Sequence, residues 1–216
     1  LGLPDLYDVG YNSNGIGIWG LMGAGGHLNN GITPGHPSAW SKIFLGWADP
    51  IEITTNMETV TIRNVEHYPD IYKIIIPHTG GKQYFLIENR ARTGFDRYLP
   101  AGGLLIWHID ESVLYQNLGG GFTRIDANNV NTDPSRKGVD VEEASGTQDL
   151  DVIGNYNSGD RYDPWYNDDE GFTPSSLPNS SDYSNRKTEI HITSISRTSN
   201  TMTFSVTVEE RKIFLT

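Results

Sequence analysis

The densest set of chemistry-bearing side chains lies between Asp149 and Asp163. Asp149, Asp151, Asn155, Asn157 and Asp160 set hard oxygen donors close together on a glycine-turned loop, with Asp163 just beyond. Calcium takes about six to eight oxygens from carboxylates, amides and carbonyls, so these residues are the expected calcium ligands. The plainer reading is a solvated polar loop, because no helix flanks the stretch as in an EF-hand and no glutamate closes it. Asp110 and Glu111, with Asp140, Glu142 and Glu143, make a second and weaker acidic cluster. Asp5 and its near neighbour Asp8 can each offer a carboxylate to a metal, although an Asp after Gly-Leu-Pro is ordinarily a turn residue. His27 and His36 match no ligand spacing, and His108 sits in an apolar run where a satisfied core histidine is expected. No Ser-His-Asp arrangement and no phosphate-binding glycine loop is evident.

Gly2 and Asp5 have the spacing Gly-x-x-Asp. The same spacing closes the HExxHxxGxxH/D motif of zinc proteases. There two histidines one helical turn apart share a helix, a glycine ends that helix in the left-handed conformation, and a third ligand follows from the loop. GLPDLYD (Gly2–Asp8), WGLMGAGG (Trp19–Gly26), SAWSKIFLGW (Ser38–Trp47), FLIENR (Phe85–Arg90) and GLLIWHIDE (Gly103–Glu111) follow one another in an order that resembles the secreted zinc metallopeptidases of the immune inhibitor A family. The likeness runs from Leu1 to about Val208.

The resemblance implies peptide-bond hydrolysis by a zinc-bound water, a protein or peptide substrate, and an extracellular location. It makes Asp5 the third zinc ligand of the complete enzyme and Gly2 the glycine that ends the ligand helix. It places Met22 in a turn that packs beneath the zinc histidines as a soft apolar floor. The HExxH helix and the rest of the catalytic domain are expected upstream of Leu1. No catalytic residue is assigned among these 216 residues, so on their own they are expected to be inactive. A reading of another class is a calcium-stabilised β-sandwich used for binding or adhesion, in which Asp5 contacts no metal.

The chain carries 16 Lys and Arg against 27 Asp and Glu, a net charge of −11. That balance argues against nucleic acid or an anionic membrane as the main partner. It has no cysteine, which excludes disulfides, thiolate metal sites and a cysteine nucleophile. No apolar run is long enough to span a bilayer.

The elements that must position these residues are mainly β. Residues 1–35 are glycine-rich loop, which stays ordered only when packed on something. A helix is expected from Ser38, its N-cap, with Trp40, Ile43, Phe44 and Trp47 on one apolar face and the two tryptophans packed in the core. From Ile51 the rhythm alternates by two. Ile71–Ile76 and Tyr84–Glu88 flank Gly80-Gly81 as a hairpin, Leu104–Ile109 suits a central strand, and Glu189–Ile195 with Met202–Val208 makes a second hairpin. Two long polar segments, 116–137 and 147–185, lie between, and structureless loops of that length are uncommon unless they bind something. The expected architecture is therefore the closing segment of a metzincin-like catalytic domain, residues 1–47, followed by an antiparallel β-sandwich, residues 48–216.

Overall fold

The structure is a computed structural model that describes residues 1–152, 154, 157–168 and 170–208. It is mainly β with few helices. Among the described residues no helix is long and apolar enough to cross a membrane.

Helix α1 spans Ala39–Phe44. Ser38 caps it, its Oγ accepting from the Ser41 amide at 3.2 Å. Gly46, at φ +69, ends it. Trp47 N donates to Lys42 O at 2.8 Å and Gly46 N to Ile43 O at 2.9 Å, the paired bonds of a Schellman stop. This stop corrects one expectation. Trp40 is buried as predicted, but Trp47 is 58 % exposed because the chain turns at Gly46 before it can follow the helical face inward.

Strands β1 (Ile51–Glu52), β2 (Met57–Arg63), β3 (Tyr72–Ile75), β4 (Gln83–Arg90) and β5 (Gly103–Asp110) lead into the short helix α2 (Glu111–Leu114). After it come β6 (Asn117–Gly119), β7 (Phe122–Thr123), β8 (Val139–Val141), β9 (His191–Thr193) and β10 (Thr201–Thr207). One five-stranded sheet has the order β1-β3-β4-β5-β8 and a three-stranded sheet the order β2-β10-β9. The pairings are antiparallel except that β1 runs parallel to β3, with Ile51 opposite Tyr72. The cause is β2, which leaves for the other sheet between them, so β3 returns in the direction of β1. The polar segment 116–137 is not structureless, since β6 and β7 pair within it.

Both central strands, β4 and β5, are buried along all eight residues. Side chains alternate across a strand, so each one supplies two cores. Phe85, Ile87, Leu104 and Ile106 point to one face and pack with Val60, Ile62, Met202 and Phe204 of the smaller sheet. Leu86, Leu105, Trp107 and Ile109 point to the other face and are covered by Leu6, Ile16, Trp19 and Trp40. The glycine-rich first segment is thus held as a packed layer. Gly17 shows why glycine is required there. Its φ is +54, and an added Cβ would lie 2.1 Å from Ser158 O.

Candidate functional site

Asp5 lies half-buried at the edge of that layer. Ahead of it Gly2 has φ +77, the left-handed geometry that a helix-ending glycine adopts. After it Leu6 is fully buried, and its amide donates to Met22 O at 2.9 Å. Met22 belongs to the turn closed by Gly23 N donating to Gly20 O at 2.9 Å, and its side chain packs against the first core. The Met22 turn and the Asp5 segment are therefore neighbours joined by a backbone hydrogen bond.

The Asp5 carboxylate is held through one oxygen. Oδ2 accepts from Tyr7 Oη at 2.8 Å and from Asn128 Nδ2 at 2.6 Å. Asn128 also takes the Asp5 amide on its Oδ1 at 2.5 Å. Among the described residues nothing donates to Oδ1 of Asp5. The hydrogen bond to Asp5 raises the Tyr7 hydroxyl above its ordinary range, so Tyr7 is a neutral donor there. Asp8 is spent otherwise. It is buried, and its oxygens accept from Gly10 N at 2.6 Å and Asn12 N at 2.9 Å. Neither Tyr7 nor Asn128 stood out in the sequence, and Asn128 lies 123 residues from the carboxylate it grips. The one available signal was the length of the polar segment that contains it.

The expected calcium ligands divide. Asn157 Nδ2 donates to Asp149 Oδ2 and to Asp160 Oδ2, each at 3.1 Å, so these three come together. The amide nitrogen then stands between the carboxylates, where the calcium reading needs an oxygen. Asp151 turns away to Lys137, whose fully buried ammonium also donates to Asp140 Oδ1 at 2.7 Å and Gly15 O at 3.0 Å. Asn155 lies outside the described residues. Among the described residues no group of three or more His, Cys, Asp or Glu side chains is placed to hold a metal ion.

Burial dominates the proton chemistry of this region. It pushes Glu143 up to about 8 and Asp163 to about 6. Asp151 rises to about 7 through burial and the nearby Asp140 charge, because the single cation of Lys137 serves both carboxylates. Trp19 Nε1 donates to Asp163 Oδ2 at 2.7 Å and so ties the first segment to this loop.

The second acidic cluster is dispersed into separate pairings. Asp110 accepts from Arg136 at 2.7 Å, and Glu143 from the Asp149 and Leu150 amides. His108 is the satisfied core histidine of the sequence reading. Its Nδ1 lies 3.1 Å from Glu142 Oε1, its Nε2 3.1 Å from Gln83 Oε1, and its ring stacks on Tyr183. His27 is exposed. The His36 amide donates to Asp96 Oδ1 at 2.9 Å, which places His36 beside the buried Arg90–Asp96 pair and away from Asp5's partners. A cleft of about 350 Å³ near Trp165, Gly171 and Ser176 includes neither Asp5 nor Asn128.

No protein-family model matches the chain, and a search of curated proteins returned no match.

Proposed function

We propose that this chain is the C-terminal part of a secreted zinc metalloendopeptidase similar to the immune inhibitor A family. Residues 1–47 would be the closing piece of its catalytic domain and the remainder a β-sandwich. The observation that carries the reading is the half-open carboxylate of Asp5. A metal-ligating side chain is normally oriented by hydrogen bonds to the atoms it does not give to the metal. Asp5 has that arrangement, with Oδ2 fixed by Tyr7 and Asn128 and Oδ1 left for a ligand bond. The left-handed Gly2 and the Met22 turn bonded to Leu6 add support.

The residues present fit zinc as one ligand of a larger set, since carboxylate oxygen is a normal zinc donor and a catalytic site uses three protein ligands. The reading requires two histidines and a glutamate on a helix ahead of Gly2. Bound zinc would supply a water acidic enough to attack a peptide carbonyl. Asp5 would hold the metal, Tyr7 and Asn128 would fix its carboxylate, and the Met22 turn would pack beneath.

The test uses the complete secreted protein that contains this chain. Zinc content near one per molecule and casein hydrolysis are expected, and Asp5→Ala should lose both while the fold persists. The 216 residues alone should cleave nothing. A complete protein with no His-Glu-x-x-His ahead of Gly2, or an Asp5→Ala form that keeps zinc and activity, would overturn the reading.

A further inference from the structure

Asn128 and Asn131 hold two consecutive residues of the first segment. Asn128 takes the Asp5 amide on Oδ1 at 2.5 Å and donates through Nδ2 to Asp5 Oδ2 at 2.6 Å. Asn131 Nδ2 donates to Leu6 O at 2.9 Å. The other bonds of the Asn131 side chain go to the start of β8. Nδ2 also donates to Val139 O at 2.8 Å, and Oδ1 accepts from Gly138 N and Val139 N, each at 3.1 Å. A side-chain amide has two donors and one oxygen with two lone pairs, so the buried Asn131 is fully used.

This loop is fixed to the central sheet independently of Asp5. Val139 lies opposite Ile109 of β5, and Val130 is buried in the first core with its O accepting from Gly138 N at 3.0 Å. Gly138 permits the approach, since an added Cβ would lie 2.7 Å from Leu114 Cδ2 and 3.1 Å from Val130 O. Leu6 is seated from both sides, because its O also accepts from Ile16 N at 3.1 Å.

Seating the backbone does not require a grip on the Asp5 carboxylate. Asp5 is half-buried, and water could solvate its side chain. Asn128 instead binds the amide and Oδ2 of the same residue. A two-point hold of that kind fixes the carboxylate relative to its own backbone and so fixes where Oδ1 lies. Partners that orient a ligating group in this way tune metal affinity.

We propose that residues 128–131 position the metal site at Asp5 from outside residues 1–47, Asn131 seating the backbone at Leu6 and Asn128 aiming the carboxylate, so that zinc affinity and coordination geometry depend on this loop. The proposal rests on the peptidase reading. Both asparagines are positioning residues that act through Asp5. On this account the β-rich part of the chain completes the metal site and is not an independent module.

The experiment uses the complete secreted enzyme, with zinc affinity read by chelator competition and geometry by the visible absorption of the cobalt-substituted form. Asn128 has φ +55, so Asn128→Gly removes the grip without adding left-handed strain. It should weaken zinc about tenfold and shift the cobalt bands. Asn131→Asp, which keeps the acceptor for Gly138 and Val139 but loses both donors, should do the same. Ser38→Ala, which removes the cap of α1, should lower melting temperature and leave both readouts unchanged. If the Asn131 variant does not fold, Asn128→Gly decides. A zinc-binding wild type whose Asn128→Gly form keeps the same affinity and cobalt spectrum overturns the positioning role alone. A wild type that holds no zinc overturns the peptidase reading and the positioning role with it.

Discussion

Lys42 Nζ lies 2.7 Å from Glu88 Oε2, and the two side chains are 7 % and 0 % exposed. The pair joins the last turn of α1 to the middle of β4. Glu88 Oε1 accepts from Trp107 Nε1 at 3.1 Å and lies 3.3 Å from Arg90 Nη1, and Arg90 meets Asp96 through two nitrogens at 2.6 and 2.7 Å. Two cations and two anions thus form a neutral buried quartet. Arg90 also donates to Trp19 O at 2.5 Å and to His36 O at 3.3 Å. The first segment is seated on the sheet by this polar quartet as well as by its apolar residues.

Breaking such a pair leaves a buried charge without its counter-charge, whereas removing both charges can be nearly neutral. Lys42→Met should therefore cost ~3–5 kcal/mol, and Lys42→Met/Glu88→Gln should recover most of that loss. Urea unfolding of the three proteins measures it. A cost below about 1 kcal/mol for Lys42→Met, the value of a surface pair, would show that water reaches the site.

Acid should weaken the same region in two stages. His36 is half-buried, and its pKa is lowered by burial first and by the Lys42 and Arg90 charges next. The folded state then binds fewer protons than the unfolded one, so stability falls as pH drops through about 6.5. Burial alone would raise Glu88 and Asp96, but Lys42 and Arg90 hold Glu88 low, and Arg90 holds Asp96 low. Carboxyls lowered in this way contribute stability above the unfolded value of about 4 and lose it as pH falls through the folded value. Glu143, Asp151 and Asp163, raised to about 8, 7 and 6, act in the opposite sense between about pH 8 and 4, so the His36 contribution is read as a difference between variants. Relative to wild type, His36→Gln should gain melting temperature as pH falls from about 7 to 5, and both proteins should lose it steeply below about 4. Wild-type and His36→Gln curves of the same shape from about pH 7 to 4 would rule out the His36 contribution.

Gly17 offers a steric test of how the loop before Asp163 is held. Ile18 N donates to Ser158 O at 2.7 Å, and an alanine at 17 would push its Cβ against that same carbonyl. Gly17→Ala should cost ~2 kcal/mol, combining left-handed strain with displacement of the 157–160 loop. Thermal unfolding measures it. Gly46→Ala is the matched control, with the same left-handed strain at φ +69 but nothing within 4 Å of the added Cβ. Equal losses in the two variants would mean the loop moves aside freely.

The parts of the fold legible in the sequence are those set by local pattern. Ser38 announced α1, and the apolar run Leu104–Ile109 after two glycines announced β5. What was not legible depends on residues far apart in the chain. Thr201 pairs with Arg63, and nothing near either residue specifies that β2 joins β10 and leaves β1 to run parallel with β3. The candidate site divides in the same way. Gly2, Asp5 and Met22 stand in strings with recognisable spacing. Asn128 could not be singled out, because an Asn in a polar loop looks the same whether or not it grips a carboxylate. The loop acids were misleading in a different respect. Spacing along the chain grouped Asp151 with Asp149, but the buried Lys137 draws Asp151 to its own side.

The clearest consequence of the two-core arrangement concerns residues 1–47. Antiparallel sheets commonly face water on one side, but here β4 and β5 are apolar on both. Without the first segment, Leu86, Leu105, Trp107 and Ile109 would form an open apolar face beside a Glu88 that keeps Arg90 but has lost Lys42. Residues 48–208 expressed alone should therefore aggregate or bind a hydrophobic dye. In the complete chain Trp107→Ala should cost ~3–5 kcal/mol, as for other buried aromatics. Phe85→Ala on the opposite face should cost a similar amount, and both variants should unfold in one transition, because the same two strands carry both cores. A soluble, cooperatively folding 48–208 fragment would show that the first segment only covers the sheet and does not complete its core.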